Sequence, residues 1–172
     1  AFTGMDALTH ALESYVCTNT QPISEGMSIQ AMKMIAKSLR KAVANGDDLD
    51  AREDMIMGSL VAALAFNVTR LGLAHALAIP FGATFGIPHG MINAILLPHV
   101  MEYNLMGATE KFIEIARIFG ENVENMPKME AAYKSVEAVK KLMKDIGIVE
   151  GLEDYGVKEE DLRAIAEEGY KS

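Results

Sequence analysis

The stretch Ala51-Arg52-Glu53-Asp54-Met55-Ile56-Met57-Gly58-Ser59-Leu60-Val61-Ala62-Ala63-Leu64-Ala65-Phe66-Asn67-Val68 decides the fold class. It is apolar nearly all round from Ile56 to Phe66, contains no proline and shows no strand-like alternation. That character predicts a helix over about Ala51 to Val68, placed at the centre of a bundle because no side of it favours water. Asp47, Asp48 and Asp50, just ahead of it, supply capping side chains and negative charge for its amino end.

The same period extends in both directions. Upstream, Met27, Ala31, Met34, Ile35, Leu39 and Val43 recur three or four apart, on a helix capped by Ser24 after the break at Gln21-Pro22 and ended by Asn45-Gly46. Thr3-Gly4-Met5-Asp6 resembles a capping box with Asp in place of Glu, opening a first helix to about Tyr15. Downstream, Gly72, Gly82, Gly86 and Gly90 surround Pro80 and Pro88, a density of breakers that admits short helices but not one long one. Helical pattern resumes from about Pro88 to Tyr103. Amphipathic helices follow over Ala108 to Phe119, Met129 to Ile146 and Lys158 to Gly169. No internal repeat or low-complexity linker interrupts residues 1–172. The expectation is one all-α domain, a helical bundle.

Composition agrees. Half of the 172 residues are hydrophobic but only 6% are aromatic, so Ala, Leu, Ile and twelve Met residues supply the apolar bulk. A formal charge of -8 repels nucleic-acid phosphates and anionic lipid, so neither is expected as a partner. The densest apolar stretch, Met55 to Ala65, is about half the ~20 residues needed to span a bilayer. The single cysteine, Cys17, excludes an internal disulfide framework and suits a reducing compartment; it reads as a small buried apolar residue. A cytoplasmic location is expected. The chain opens on Ala1 without an initiator Met and stops just after a helical pattern, which suggests a piece of something longer.

Asp6 and His10 lie four apart on the first helix, hence on one face, where a carboxylate and an imidazole can close on one cation from consecutive turns. An ordinary surface pair has the same spacing. Two of the chain's four histidines, His75 and His89, bracket the glycine-rich passage, in which glycine lets backbone approach a ligand or another helix closely. On spacing alone, a core histidine bonded to a carbonyl and a helix-start residue are the favoured readings of the two.

The segment Gly4-Met5-Asp6-Ala7-Leu8-Thr9-His10-Ala11-Leu12-Glu13 closely resembles the opening of the metal domain of iron-containing alcohol dehydrogenases. Gly72 to Gly90, followed by Asn93-Ala94-Ile95-Leu96-Leu97-Pro98, resembles that family's second signature, and the likeness runs from Gly4 to about Asn104. The resemblance implies the helical domain of a dehydroquinate synthase-like fold, with Asp6, His10, His75 and His89 as ligands to Fe²⁺, or to Zn²⁺ in its place. One anionic oxygen and three neutral nitrogens suit either ion and leave a position for a substrate oxygen. The implied activity is NAD- or NADP-dependent interconversion of a small alcohol or diol and its aldehyde, in an assembly of like subunits. A zinc-dependent glycerol or polyol dehydrogenase, and a non-catalytic domain with a structural metal, are the rival readings.

Two departures from the family matter. Many members carry another histidine four residues after the position of His75, thought to relay protons; here that residue is Ile79, so no general base is assigned. The family's amino-terminal dinucleotide-binding domain has no counterpart in residues 1–172, since no strand precedes Gly72 to Gly90. With that absence goes the expectation that the carboxy terminus is cut short relative to the family. This chain alone is expected to bind metal without efficient hydride transfer. Of the remaining residues, Glu13 reads as a solvated helix-surface carboxylate or as an orienter of His10, His99 as structural or partly exposed, and Phe66, Phe81 and Phe85 as core or as pocket wall.

Overall fold

The computed structural model describes residues 1–171, which form eight α-helices and one 3₁₀ turn and, among those residues, no strand. In chain order the helices are α1 (Phe2–Val16), α2 (Pro22–Ala44), α3 (Leu49–Thr69), α4 (Leu73–Phe85), α5 (His89–Asn104), α6 (Thr109–Ile118), α7 (Lys128–Asp145) and α8 (Glu159–Gly169), with the 3₁₀ turn at Leu152–Tyr155. The three carboxy-terminal helices fall within a residue or two of the amphipathic stretches expected. None of the helices is by itself long and apolar enough to cross a membrane.

The centre of the bundle is α1 with α5, not α3. Met5, Leu8, Ala11 and Leu12 of α1 are buried, and the helix packs against α2, α3 and α5. Ile92, Ala94, Leu97 and Met101 bury α5 against α1, α4 and α7. On α3, by contrast, Ile56, Leu60, Leu64 and Val68 are 67%, 51%, 52% and 61% exposed, and burial falls to the small residues Ala51, Gly58, Ala62 and Ala65. The misplacement has a steric cause. Small side chains let α3 lie close on α2 and α1, so close that a Cβ on Gly58 would stand 3.0 Å from Ile35 Cγ1. The large apolar residues, four apart, then share the opposite face.

Helix starts differ from expectation at two places. Thr3 lies inside α1, which begins at Phe2, so Thr3 and Asp6 form no capping box and the Asp6 carboxylate is free for other partners. In α2 the cap is Gln21, with Pro22 at the first helical position; Ser24 sits a turn further in and its hydroxyl accepts from the Gln21 N–H at 2.9 Å. At α3 the expectation holds, for Asp48 Oδ1 accepts from the Ala51 N–H at 2.9 Å. The glycine-rich passage contains one helix of 13 residues, α4, which runs through Pro80 and ends at Gly86 with φ +68°.

Between α3 and α4 the chain turns through 102°. The turn falls on Arg70, whose φ of 69° and ψ of -176° lie in a region normally reserved for glycine, at a strain of about 1–3 kcal/mol. Thr69 anchors that corner: its buried hydroxyl lies 2.9 Å from Ser14 Oγ on α1. Ser14→Ala is accordingly expected to lower stability by about 1 kcal/mol in chemical denaturation, since Thr69 keeps the Arg70 carbonyl, 2.9 Å away, as an alternative acceptor.

Candidate metal centre

Three helices converge on one cluster. From α1 come Asp6, His10 and Glu13, at spacings of four and three that place them on one face. His75 enters from the first turn of α4, and His89 and Asn93, one turn apart, from the start of α5. The approach of α5 to α1 depends on Gly90, where a Cβ would lie 2.6 Å from the Phe2 carbonyl oxygen and 3.4 Å from Asp6 Cβ.

Donor atoms of Asp6, His10 and His75 all lie within 4.8 Å of one another. His75 Nε2 stands 3.6 Å from Asp6 Oδ1. The His10 and His75 rings stack with centroids 4.5 Å apart, and Phe66 stacks on the other side of His10 at 4.6 Å. His89 sits at the rim: its side chain is half exposed and its Nε2 is 3.7 Å from Asp6 Oδ1. That nitrogen also lies 3.1 Å from the Asn93 amide nitrogen, which donates to Asp6 Oδ1 at 2.7 Å. The structure thus brings the four residues named from sequence to one place, three in a tight group and His89 beside it.

The sequence reading gave one partner the wrong histidine and missed another. Glu13 is not on the surface, and its imidazole partner is His75 and not His10; it is 3% exposed, and its Oε2 accepts from His75 Nδ1 at 2.7 Å. Asn93 is fully buried and holds the Asp6 carboxylate. The spacing 6, 10, 13 on α1 and 89, 93 on α5 was the available signal. Other residues stand apart. His99 is exposed on α5, Ile79 is 61% exposed on α4, Phe81 belongs to the core with Phe85 partly buried beside it, and Cys17 is only half buried, its thiol donating to the Thr69 carbonyl at 3.1 Å.

The electrostatics favour a cation. Burial pushes the Asp6 carboxyl up, but His75 and Asn93, with His10 and His89 behind them, hold it below the usual carboxylate range. Burial draws His10 down, an effect that Asp6 opposes without reversing. Burial acts the same way on His75, yet the carboxylates of Asp6 and Glu13 on either side overcome it and raise the imidazole to about 9. The imidazolium form of His75 is therefore stabilised between Asp6 and Glu13, and an ion seated there would take the place of its proton. His75 Nε2 is buried and has no hydrogen-bond partner. A buried nitrogen without a hydrogen bond is costly; a proton shared with Asp6, 3.6 Å away, or a divalent ion in its place would satisfy it. The donor set of one carboxylate and imidazoles suits Fe²⁺ or Zn²⁺.

Residues 1–172 match the family profile described as "Fe-containing alcohol dehydrogenase family, C-terminal". The chain belongs to this family. It is 47% identical over 171 residues to 1,3-propanediol dehydrogenase of Klebsiella pneumoniae, covering 99% of the chain and 44% of that relative. To the NAD-dependent methanol dehydrogenase of Bacillus methanolicus it is 41% identical over 169 residues, covering 98% of the chain and 44% of the relative. Superposition on the crystal structure of a 1,3-propanediol oxidoreductase gives a TM-score of 0.98 at 46% identity, covering 100% of this chain and 45% of that one. The chain of this iron-containing alcohol dehydrogenase family member thus spans less than half the length of the relatives it matches, and its all-helical fold is that of their carboxy-terminal domain.

Proposed function

We propose that this chain is the metal-holding half of an NAD(P)-dependent alcohol dehydrogenase that interconverts a small alcohol or diol and its aldehyde. The observation that carries the reading is the convergence of Asp6, His10 and His75, whose donor atoms lie within 4.8 Å of one another, with His75 Nε2 buried and making no hydrogen bond. Asp6, His10, His75 and His89 would hold the ion, Fe²⁺ by family membership, with Zn²⁺ chemically admissible. When bound, a divalent ion supplies Lewis acidity to a substrate oxygen, lowering the pKa of an alcohol or polarising a carbonyl.

The chain's own residues supply orientation. Glu13 fixes His75, Asn93 fixes Asp6, and the Phe66 ring covers one side of His10. The half-exposed His89 leaves the cluster accessible on one side, as a catalytic centre requires and a closed structural one does not. Ile79 carries no proton, so a relay through that position is absent. The nicotinamide nucleotide would bind mainly outside these residues, because Gly72 and Gly82 belong to the start and body of a helix and form no strand-linked phosphate loop. The names of the relatives, a 1,3-propanediol dehydrogenase and an NAD-dependent methanol dehydrogenase, support the substrate and cofactor class.

The test is made on the full-length protein. Loaded anaerobically with Fe²⁺, it is expected to reduce NAD⁺ or NADP⁺ in the presence of 1,3-propanediol or short primary alcohols, to lose that activity on chelation, and to regain it on reloading. A protein that takes up no stoichiometric divalent ion, or whose activity survives complete chelation, would overturn the reading.

A further inference from the structure

Glu13 carries a negative charge into the bundle at a point where no Lys or Arg meets it. Among the described residues its three hydrogen-bond partners are all N–H groups. Oε1 accepts from the Ala74 backbone at 2.7 Å, and Oε2 accepts from the Gly72 backbone at 3.0 Å and from His75 Nδ1 at 2.7 Å. The two backbone groups lie at the amino end of α4, whose own cap residue, Gly72, has no side chain with which to satisfy them. A carboxylate delivered from α1 therefore performs the capping that the local sequence leaves undone.

Space for it is made by the same glycine. A Cβ at Gly72 would lie 2.9 Å from Glu13 Oε1 and 3.2 Å from its carboxyl carbon, too close for a group already held by three donors. Gly72 has φ of -117°, so it is close approach, not backbone conformation, that excludes a side chain there.

The geometry points to Glu13 as the positioning residue of the metal centre, the group that keeps the proton of His75 on Nδ1 and turns Nε2 toward the ion. This rests on the proposed metal-binding role of His75. Imidazole offers one ligating lone pair when the other nitrogen holds the hydrogen, and the acceptor facing that hydrogen decides which nitrogen is which. Here the acceptor is anchored at two further points, so the ring cannot flip or swing without giving up its hydrogen bond to Glu13. Only an acceptor on both oxygens serves. Glutamine has the same shape, but whichever way its amide is turned, its NH₂ meets an N–H. Beside His75 it would force Nδ1 to accept, moving the proton to the nitrogen the ion needs; beside Ala74 it would oppose the backbone N–H.

The test uses Co²⁺ as a coloured substitute in the full-length protein and its Glu13→Gln variant, with circular dichroism as the check on folding. The wild type is expected to develop visible ligand-field absorption. The variant should bind Co²⁺ about 10- to 100-fold more weakly, with an altered band shape. Zn²⁺-loaded wild type carrying ¹⁵N-labelled histidine should show His75 protonated at Nδ1 and ligated through Nε2, and this measurement decides the matter if the variant does not fold. Equal affinity and identical spectra in wild type and variant, or ligation of His75 through Nδ1, would overturn the role of Glu13 alone. A wild type that binds no Co²⁺ would overturn the metal reading, and this role with it.

Discussion

Asp6→Ala is expected to reduce the affinity of the full-length protein for Fe²⁺ or Co²⁺ by well over about 100-fold, the upper range for losing a partner that touches the ion only through another ligand. Asp6 is the single anion among the four proposed donors and the one that reaches two of the others. Its Oδ1 lies 3.6 Å from His75 Nε2, 3.7 Å from His89 Nε2 and 2.7 Å from the Asn93 amide. Without it, imidazoles are left to gather a dication with no anionic ligand, and Asn93 loses its acceptor. Isothermal titration or competition against a chromophoric chelator measures the loss. Retention of affinity within about tenfold of wild type would remove Asp6 from the centre. His89→Ala should weaken binding in the same direction but less, because His89 must first give up its contact with Asn93 and is half exposed to water.

Gly90→Ala should have the second largest effect, and for a purely steric reason. The added methyl group would stand 2.6 Å from the Phe2 carbonyl oxygen and 2.9 Å from its carbon, both of them backbone, which has no rotamer to escape into. The amino ends of α1 and α5 must part. Overpacking of this kind costs about 1–3 kcal/mol, more than the gain of about 1 kcal/mol that alanine brings to a helix. The displacement falls between Asp6 on α1 and His89 on α5, so metal affinity should drop together with the thermal midpoint. A variant with the wild-type midpoint and unchanged Co²⁺ binding would show that the two helices have slack the present packing does not suggest.

The helical character of the chain and the bounds of α6, α7 and α8 were legible because one face of each is apolar and the other charged. The rank of α3 was not. A helix apolar on all sides reads as central, yet its inner face is made of Gly58, Ala62 and Ala65 while its bulk faces outward. Periodicity records polarity and is blind to which apolar side is small enough to be approached. At the site, spacing alone left Asp6 and His10 indistinguishable from a surface pair, and it was the resemblance that named His75 and His89. Glu13 was read as solvated or as an orienter of His10, the histidine on its own face, because its partners lie about sixty residues downstream, beyond any local pattern. Thr3 and Ser24 were misread as caps for a more local reason: each helix starts earlier than its first hydroxyl-bearing residue suggests.

The donors proposed for the ion are split between α1, the first thing the described chain builds, and α4 and α5, which follow only after two long helices have been laid down. An ion seated there would fasten the beginning of this sequence to its middle much as a crosslink does, and every multiple of free ion over the dissociation constant would add to resistance against unfolding. Metal supply would then govern the lifetime of the polypeptide as well as its chemistry: molecules made in iron-starved cells would breathe open between α1 and α4 and be cut by proteases sooner than their loaded counterparts.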